Sequence, residues 1–389
     1  MTLPPHLARV VEAEVPRFSD GEMARRRAGV EALLAEAECD HLVFCGLNRF
    51  GSVVQWLTQW PVTAEAVGLF TPRERDALFV QYVNHAPQAR LFADKADVAW
   101  GGESSIGAAI KVLEQRGSRG GRIAFIGPLT ADQHSHLSAR FPKIANLTPA
   151  YIRLRQVKSA AEIDWLRIGA HFSDLGMAAL RDGMKIGRNE RELGDLVERA
   201  YISQGATNVI HYIGTTSMSA PDLAVPRQFP IMRRVQKGDV VVAEISAAFW
   251  EHPGQVLRSF ALGEPTKLYR DLHAVADAAF DAIAAVLKAG AMPVDVIEAS
   301  SVIEDAGFTI IDDLLHGYGG GYLPPILGNK SRPAGPVPQE PFHDGQTVVI
   351  QPNVVTRDGK AGVQTGEMVV ITKNGIEKLH SIPRGFVQL

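Results

Sequence analysis

The sequence predicts two domains in series, an α/β domain followed by an α+β domain. Three observations carry this. The chain has 389 residues, more than one hydrophobic core ordinarily organises. Its first part alternates short apolar runs with helical patterns, whereas its second part sets long helical patterns beside long β-branched runs. Between them, after a boundary near 147–158, Ser159-Ala-Ala-Glu162 has the spacing of a capping box and opens a new helix. The domains are therefore expected at 1–152 and 153–389.

In the first domain, residues 22–37 show helical periodicity through Met23, Val30, Leu33 and Leu34. Arg25, Arg26 and Arg27 lie within it and are expected on a solvated helix face. Short strands are expected at His41–Phe44, Ala66–Phe70, Ala77–Val80 and Arg122–Ile126, with a helix at Ser105–Gln115. That alternation predicts a mixed or parallel sheet.

In the second domain, a helix is expected from Ser159 to about Arg181, stopped by Gly183. Further helices are expected at about Glu190–Ser203, before Gly205, and about Leu268–Lys288, before Gly290. Strands are expected at Val240–Phe249, Thr347–Val355 and Met368–Thr372, the last closed by an Asn374-Gly375 hairpin turn. Helices then cover an antiparallel sheet. The proline-rich stretch Pro333–Pro341 reads as a loop.

Composition narrows the function. Net charge is −3, with neither a basic excess nor a basic stripe, so nucleic acid is not an expected partner. No run reaches the roughly 18 apolar residues of a membrane span, and Met1–Val10 lacks the apolar stretch of a signal peptide. Cys39 and Cys45 are too few for a disulfide framework and read as free thiols. A cytoplasmic protein is expected. Gly214-Thr-Thr-Ser217 lacks the Lys-Ser/Thr of a phosphate loop, and no serine sits in a Gly-x-Ser-x-Gly elbow.

Five segments, in order, resemble the creatinase/prolidase/aminopeptidase P family. They are Arg153-Leu-Arg-Gln-Val-Lys-Ser-Ala-Ala-Glu-Ile163; Gly238-Asp-Val240 with Arg258-Ser-Phe260 and Gly263; His316-Gly-Tyr-Gly319; Gly345 to Pro352; and Gly362-Val363 before Met368–Thr372. The resemblance implies a creatinase-type N-terminal α/β domain and an α+β "pita-bread" C-terminal domain. It also implies a homodimer in which the partner's N-terminal domain edges the active site; Arg49, Trp56 and Trp60 fall near that stretch, with Trp60 the lid candidate.

Peptidases of this family hold two divalent metals with two Asp, one His and two Glu. Hard cations need such anionic oxygens to offset their charge. Carried onto this chain, the first Asp position holds Glu244 and the second, eleven residues on, holds Gln255. The His position keeps His316. The Glu positions hold Gln351 and Gly366, the latter beside Glu367. An amide in place of a carboxylate removes a full negative charge, so no metal or other cofactor is expected. A single ion on Glu244, His316 and Glu367 is the residual metal alternative.

The remaining candidates are those of a metal-free relative, which needs a base, groups that fix the substrate and a shield from water. Glu244 lies in an otherwise apolar strand, and burial would raise its pKa towards neutrality. His316 precedes the glycines 317 and 319–321. His211 alternates with apolar residues. Asp222 occupies the turn where creatinase-like relatives carry a base histidine. Gln255 and Gln351 suit a neutral group such as an amide, imide or carboxamide; a guanidinium suits them less well than it would carboxylates. Glu367, His252 and Arg332, or Lys330, complete the substrate-binding candidates, Arg332 as a carboxylate anchor.

The reading is a metal-independent hydrolase of a C–N bond in a small polar amide, ureide or guanidino-type substrate. The alternatives are a lyase working by base-promoted elimination, a non-catalytic binding protein, and a residual metallopeptidase. Pita-bread binding modules usually carry charged tails, which this sequence lacks.

Overall fold

The computed structural model describes residues 2–48, 51–117 and 122–389. Arg49 lies outside the described residues. Contacts separate two compact units. Ala13–Arg155 form one; Gln156–Leu389, with the residues before Ala13, form the other. The N-terminal segment therefore departs from the expected 1–152 domain. Its helix Pro5–Val11 buries Leu7 and packs on the helix Ala160–Gly183, because its apolar side finds a partner there.

The unit Ala13–Arg155 is a six-stranded mixed sheet with helices. Its strands are β1 (His41–Leu47), β2 (Glu65–Phe70), β3 (Asp76–Val80), β4 (Ala96–Trp100), β5 (Ile123–Ile126) and β6 (Ile144–Asn146), in the order β4-β3-β2-β1-β5-β6. Strand β1 runs antiparallel to β2 and parallel to β5, so the sheet is mixed. Val43, Cys45, Val67 and Leu69 pack on Ile106, Ala109 and Leu113 of the helix Ser105–Gln115. Both cysteines are free and buried.

Two expectations for this unit are corrected. Arg26 is 1% exposed rather than solvated. Its Nε donates to Glu22 at 2.7 Å, Nη1 to the Trp56 carbonyl at 3.0 Å, and its guanidinium lies 4.0 Å from the Phe18 ring centre. Arg27 pairs with buried Asp76 at 2.5 Å. Trp60 is no free lid: it is 2% exposed and packs on Phe92, ring centres 5.9 Å apart. Trp56 is likewise buried, edge-on to Tyr151.

The second unit opens as its sequence dictates. Ser159 Oγ accepts from the Glu162 amide and Glu162 returns a bond to the Ser159 amide, starting the helix Ala160–Gly183. The helices Glu190–Arg199 and Lys267–Val286 follow. The strands are β7 (Ala206–Ser217), β8 (Asp239–Phe249), β9 (His252–Ala261), β10 (Thr309–Ile310), β11 (Leu315–Tyr318), β12 (Tyr322–Leu327), β13 (Thr347–Ile350), β14 (Asn353–Val355), β15 (Gly362–Gln364), β16 (Gly366–Thr372), β17 (Gly375–Lys378) and β18 (Val387–Gln388).

The main sheet has nine strands, ordered β12-β11-β13-β16-β9-β8-β7, with β17 beside β16 and β18 beside β9. A separate three-stranded sheet runs β10-β14-β15. The stretch Thr347–Val355, expected as one strand, is divided because Pro352 lacks an amide hydrogen and cannot continue the ladder. Gln351 stands at that break. The Asn374-Gly375 turn joins β16 to β17 as expected, pairing Thr372 with Gly375.

Candidate active site

Strand register sets the site. Glu244 on β8 faces Leu257 on β9, and Ser246 faces Gln255. Directly opposed residues share a sheet face, so Gln255 is a diagonal neighbour of Glu244 on that face. Its Nε2 donates to Glu244 Oε1 at 2.7 Å. His316 on β11 faces Val349 on β13, and Gln351, two residues beyond Val349, is its diagonal neighbour. His316 Nε2 lies 3.2 Å from Gln351 Oε1.

The two pairs join over β16. Gly366 faces Leu257 there and contributes no side chain. Gln255 Nε2 therefore also donates to Gln351 Oε1, at 3.3 Å. The result is one chain of contacts, Glu244–Gln255–Gln351–His316, among side chains at most 6% exposed. A β-carbon at Gly366 would stand 2.4 Å from the Ile350 carbonyl oxygen and 2.9 Å from Gln351 Cα, so the close approach depends on glycine.

Tyrosines wall the chain. Tyr322 stacks on His316, ring centres 3.9 Å apart and 19° between planes, and donates to Asp313 at 2.6 Å. Tyr318 meets His316 edge-on, and its hydroxyl lies 2.9 Å from Ser246 Oγ. Tyr212 faces Glu244 across the β7–β8 ladder. Glycines 319–321, all at positive φ, make the tight turn that brings Tyr322 back over His316.

Burial, reinforced by the Asp312 and Asp313 carboxylates, pushes Glu244 up to about 8, against the pull of the Gln364 and Gln255 amides. Gln364 stands close enough to act on that carboxyl, but no described group meets hydrogen-bond geometry with its Oε1 or Nε2. Burial pushes His316 down to about 4, opposed by the Gly317 carbonyl, Gln351 and Asp312. Near pH 7 the acid is mostly protonated and the imidazole neutral. Asp312, exposed at the rim yet crowded by Asp313, rises to about 6, first through loss of solvent on its inner side.

The sequence candidates divide sharply. Glu244, Gln255, His316 and Gln351 come together; the rest do not. Glu367 follows Gly366 on β16 and so points to the opposite face, where it accepts from Arg258 Nη2 at 2.7 Å. His211 faces Ile245, one residue out of phase with Glu244. Its Nε2 lies 2.6 Å from the Tyr201 hydroxyl and its Nδ1 3.2 Å from Glu198. Burial lowers its pKa, against the Glu198 carboxylate. His252 begins β9 opposite Phe249, on the face away from Gln255, with its ring 5.3 Å from that of Trp165.

Asp222 is exposed and closes the turn after β7, taking a bond from Thr216 Oγ1 at 2.6 Å. Arg332 is exposed; its backbone amide is held by Asn329, and its guanidinium has no ion-pair partner among the described residues. Lys330 pairs with Glu298 at the surface. The residues missed by sequence reasoning are Gln364, Asp313 and the tyrosines 212, 318 and 322. Only Gln364 left a signal, as a long amide side chain between Val363 and Thr365 just ahead of β16.

These residues do not fit a dinuclear metal centre. Among the described residues no three of His, Cys, Asp and Glu converge. Two ligand positions are amides, one is glycine, and Glu367, the carboxylate next to that glycine in sequence, faces away and is committed to Arg258. Two dications would lack the anionic oxygen that offsets their repulsion.

Residues 164–373, more than half of the sequence, match the family described as Metallopeptidase family M24. The chain belongs to metallopeptidase family M24. It is similar to the Xaa-Pro dipeptidase of Pyrococcus furiosus, 24% identical over 234 residues, covering 59% of this chain and 65% of that protein. The chain thus spans just under two thirds of that relative's length. It is also similar to the creatinase of a Bacillus species, 21% identical over 389 residues, covering 95% of this chain and 93% of that one.

Solved structures share the fold. The X-Pro aminopeptidase of Thermotoga maritima superposes with a TM-score of 0.81 at 18% identity, over 93% of this chain and 99% of that one. The Xaa-Pro dipeptidase of Bacillus anthracis gives 0.80 at 18%, over 94% and 100%. The M24 architecture, an N-terminal creatinase-type domain and a C-terminal pita-bread domain, is the fold of this chain. No helix among the described residues is long and apolar enough to cross a membrane.

Proposed function

We propose that this M24 protein hydrolyses a C–N bond in a small polar amide, ureide or guanidino-type substrate without a dinuclear metal centre. The observation that carries the reading is the uncharged chain Glu244–Gln255–Gln351–His316, standing where metal-dependent relatives need anionic ligands. Similarity over nearly the full length of a creatinase supports a non-peptide substrate.

The two ends of the chain suit acid–base work. Two carbonyl oxygens, of Gly317 and Gln351, face the two nitrogens of His316. A neutral imidazole donates to only one; with its hydrogen on Nδ1, serving Gly317, Nε2 keeps a lone pair beside Gln351 Oε1, which goes on accepting from Gln255, and an arriving water can donate to both. The Nε2 lone pair is the base. It takes a proton from water as the water oxygen attacks the substrate carbon. The C–N bond breaks, and the leaving nitrogen takes the proton of Glu244. Tyr322 over the ring limits water access. The working unit is a homodimer acting on a small molecule.

The test is product analysis by NMR with a panel of small amides, ureides and guanidino acids, with and without a chelator. C–N cleavage that survives chelation, and is lost in both Glu244→Gln and His316→Ala, is expected. Cleavage of Xaa-Pro dipeptides that requires an added divalent metal would overturn the reading. Sedimentation at working concentration checks the dimer.

A further inference from the structure

Three polar atoms beside Glu244 have no hydrogen-bond partner among the described residues: Gln255 Oε1, Gln364 Oε1 and Gln364 Nε2. Both glutamines are at most 1% exposed. Such buried atoms are costly to leave unmet. Gln255 spends its two N–H groups on Glu244 and Gln351, and its carbonyl is left over. Gln364 is held only through its backbone, by Ser259 Oγ at 3.0 Å, and its whole amide is left over. The fold therefore buries both side chains without using their free ends. Rotating the Gln364 amide exchanges its two ends but leaves the same inventory, two acceptors and one donor group.

We infer that Gln364, together with Gln255, reads an uncharged ureido or primary carboxamide group of the substrate. The inference rests on the hydrolase reading and narrows it. A ligand that satisfies two acceptors and one donor must bring two N–H groups and one carbonyl oxygen. A urea unit and a primary amide bring that set. A guanidinium brings donors only, so Gln364 Nε2 would face N–H groups and stay unmet. A tertiary amide brings an acceptor only, and both glutamine carbonyls would stay unmet. Discrimination of this kind is strong because the wrong ligand leaves buried groups unpaired.

The test is a ligand-observed NMR titration of the full chain with three probes: methylurea, methylguanidinium of the same shape, and the bulkier tetramethylurea, which offers an acceptor alone. Wild type is expected to bind methylurea in the millimolar range and the other two at least about tenfold more weakly. Gln364→Leu should weaken methylurea by about tenfold with the melting temperature retained. Gln364→Glu, nearly isosteric, should reverse the preference towards methylguanidinium, which a merely structural role would not do.

Equal or tighter binding of methylguanidinium by wild type overturns the inference, as does unchanged methylurea affinity in both variants or no methylurea binding at all. The hydrolase reading is judged separately, by turnover. Cleavage of a guanidino substrate without ureido binding would sink this inference and leave the hydrolase. Ureido binding without cleavage of any ureide or amide would do the reverse.

Discussion

Glu367 Oε2 accepts a hydrogen bond from Arg258 Nη2 at 2.7 Å, both side chains being at most 3% exposed, on the sheet face away from Glu244. Arg258 also donates to the carbonyls of Gly366 and Ile382, at 2.6 and 2.8 Å. The carboxylate nearest in sequence to the last family ligand position is thus a structural counter-ion. Glu367→Ala leaves a buried guanidinium uncompensated and should cost about 3–5 kcal/mol. Denaturant unfolding reads the loss. Turnover per folded molecule should stay unchanged; a selective loss of turnover with full stability would return Glu367 to the site.

Gly366→Glu restores the family's residue type but not its site. The β-carbon would meet the Ile350 carbonyl at 2.4 Å. Overpacking of this kind costs about 1–3 kcal/mol. The variant should melt lower and hold no pair of metal ions by elemental analysis. Two tightly bound ions per chain would contradict the donor-set argument.

The acid and base limbs of activity follow from the two shifted groups. His316 must be unprotonated and Glu244 protonated, so turnover should fall below about pH 4 and above about pH 8. Stability follows its own sign. The folded pKa of Glu244 is raised, so its contribution is full below the unfolded value near 4.5 and is lost as pH rises through about 8. Glu244→Gln should therefore gain stability relative to wild type at pH 9 but not at pH 4. Parallel stability curves across that range would place the shift elsewhere.

The Tyr322 ring shields His316 from solvent at 3.9 Å. Tyr322→Ala should let the imidazole pKa climb from about 4 towards its ordinary value, visible by histidine NMR titration. The acid limb of turnover should move up with it. An unmoved titration would mean that burial by the sheet, not the tyrosine, sets the shift.

Fold and site were legible to different depths. The capping box at Ser159, the apolar runs and the Asn374-Gly375 turn are local signals, and each element appears near where they point. The four residues that converge were found through motif positions in three of the five segments. His211, His252 and Glu367 were misplaced for one shared reason. A strand's period of two puts adjacent residues on opposite faces, so a candidate can sit on the right strand and still face away. Tyr322 and Gln364 escaped because their relation to His316 and Glu244 is made by a glycine turn and by a separate small sheet. Arg26 escaped because its burial depends on Phe18 and Trp56 closing around it.

The missing side chain at Gly366 also bears on redesign. Building a dinuclear centre would take acidic residues at 255, 351 and 366 together. Any one of them arriving alone adds a buried negative charge beside Glu244 with no cation to meet it. Installing a metal centre here by design therefore means changing all three positions at once and supplying the ions as the chain folds, since each acidic residue added alone is a cost without its counter-charge.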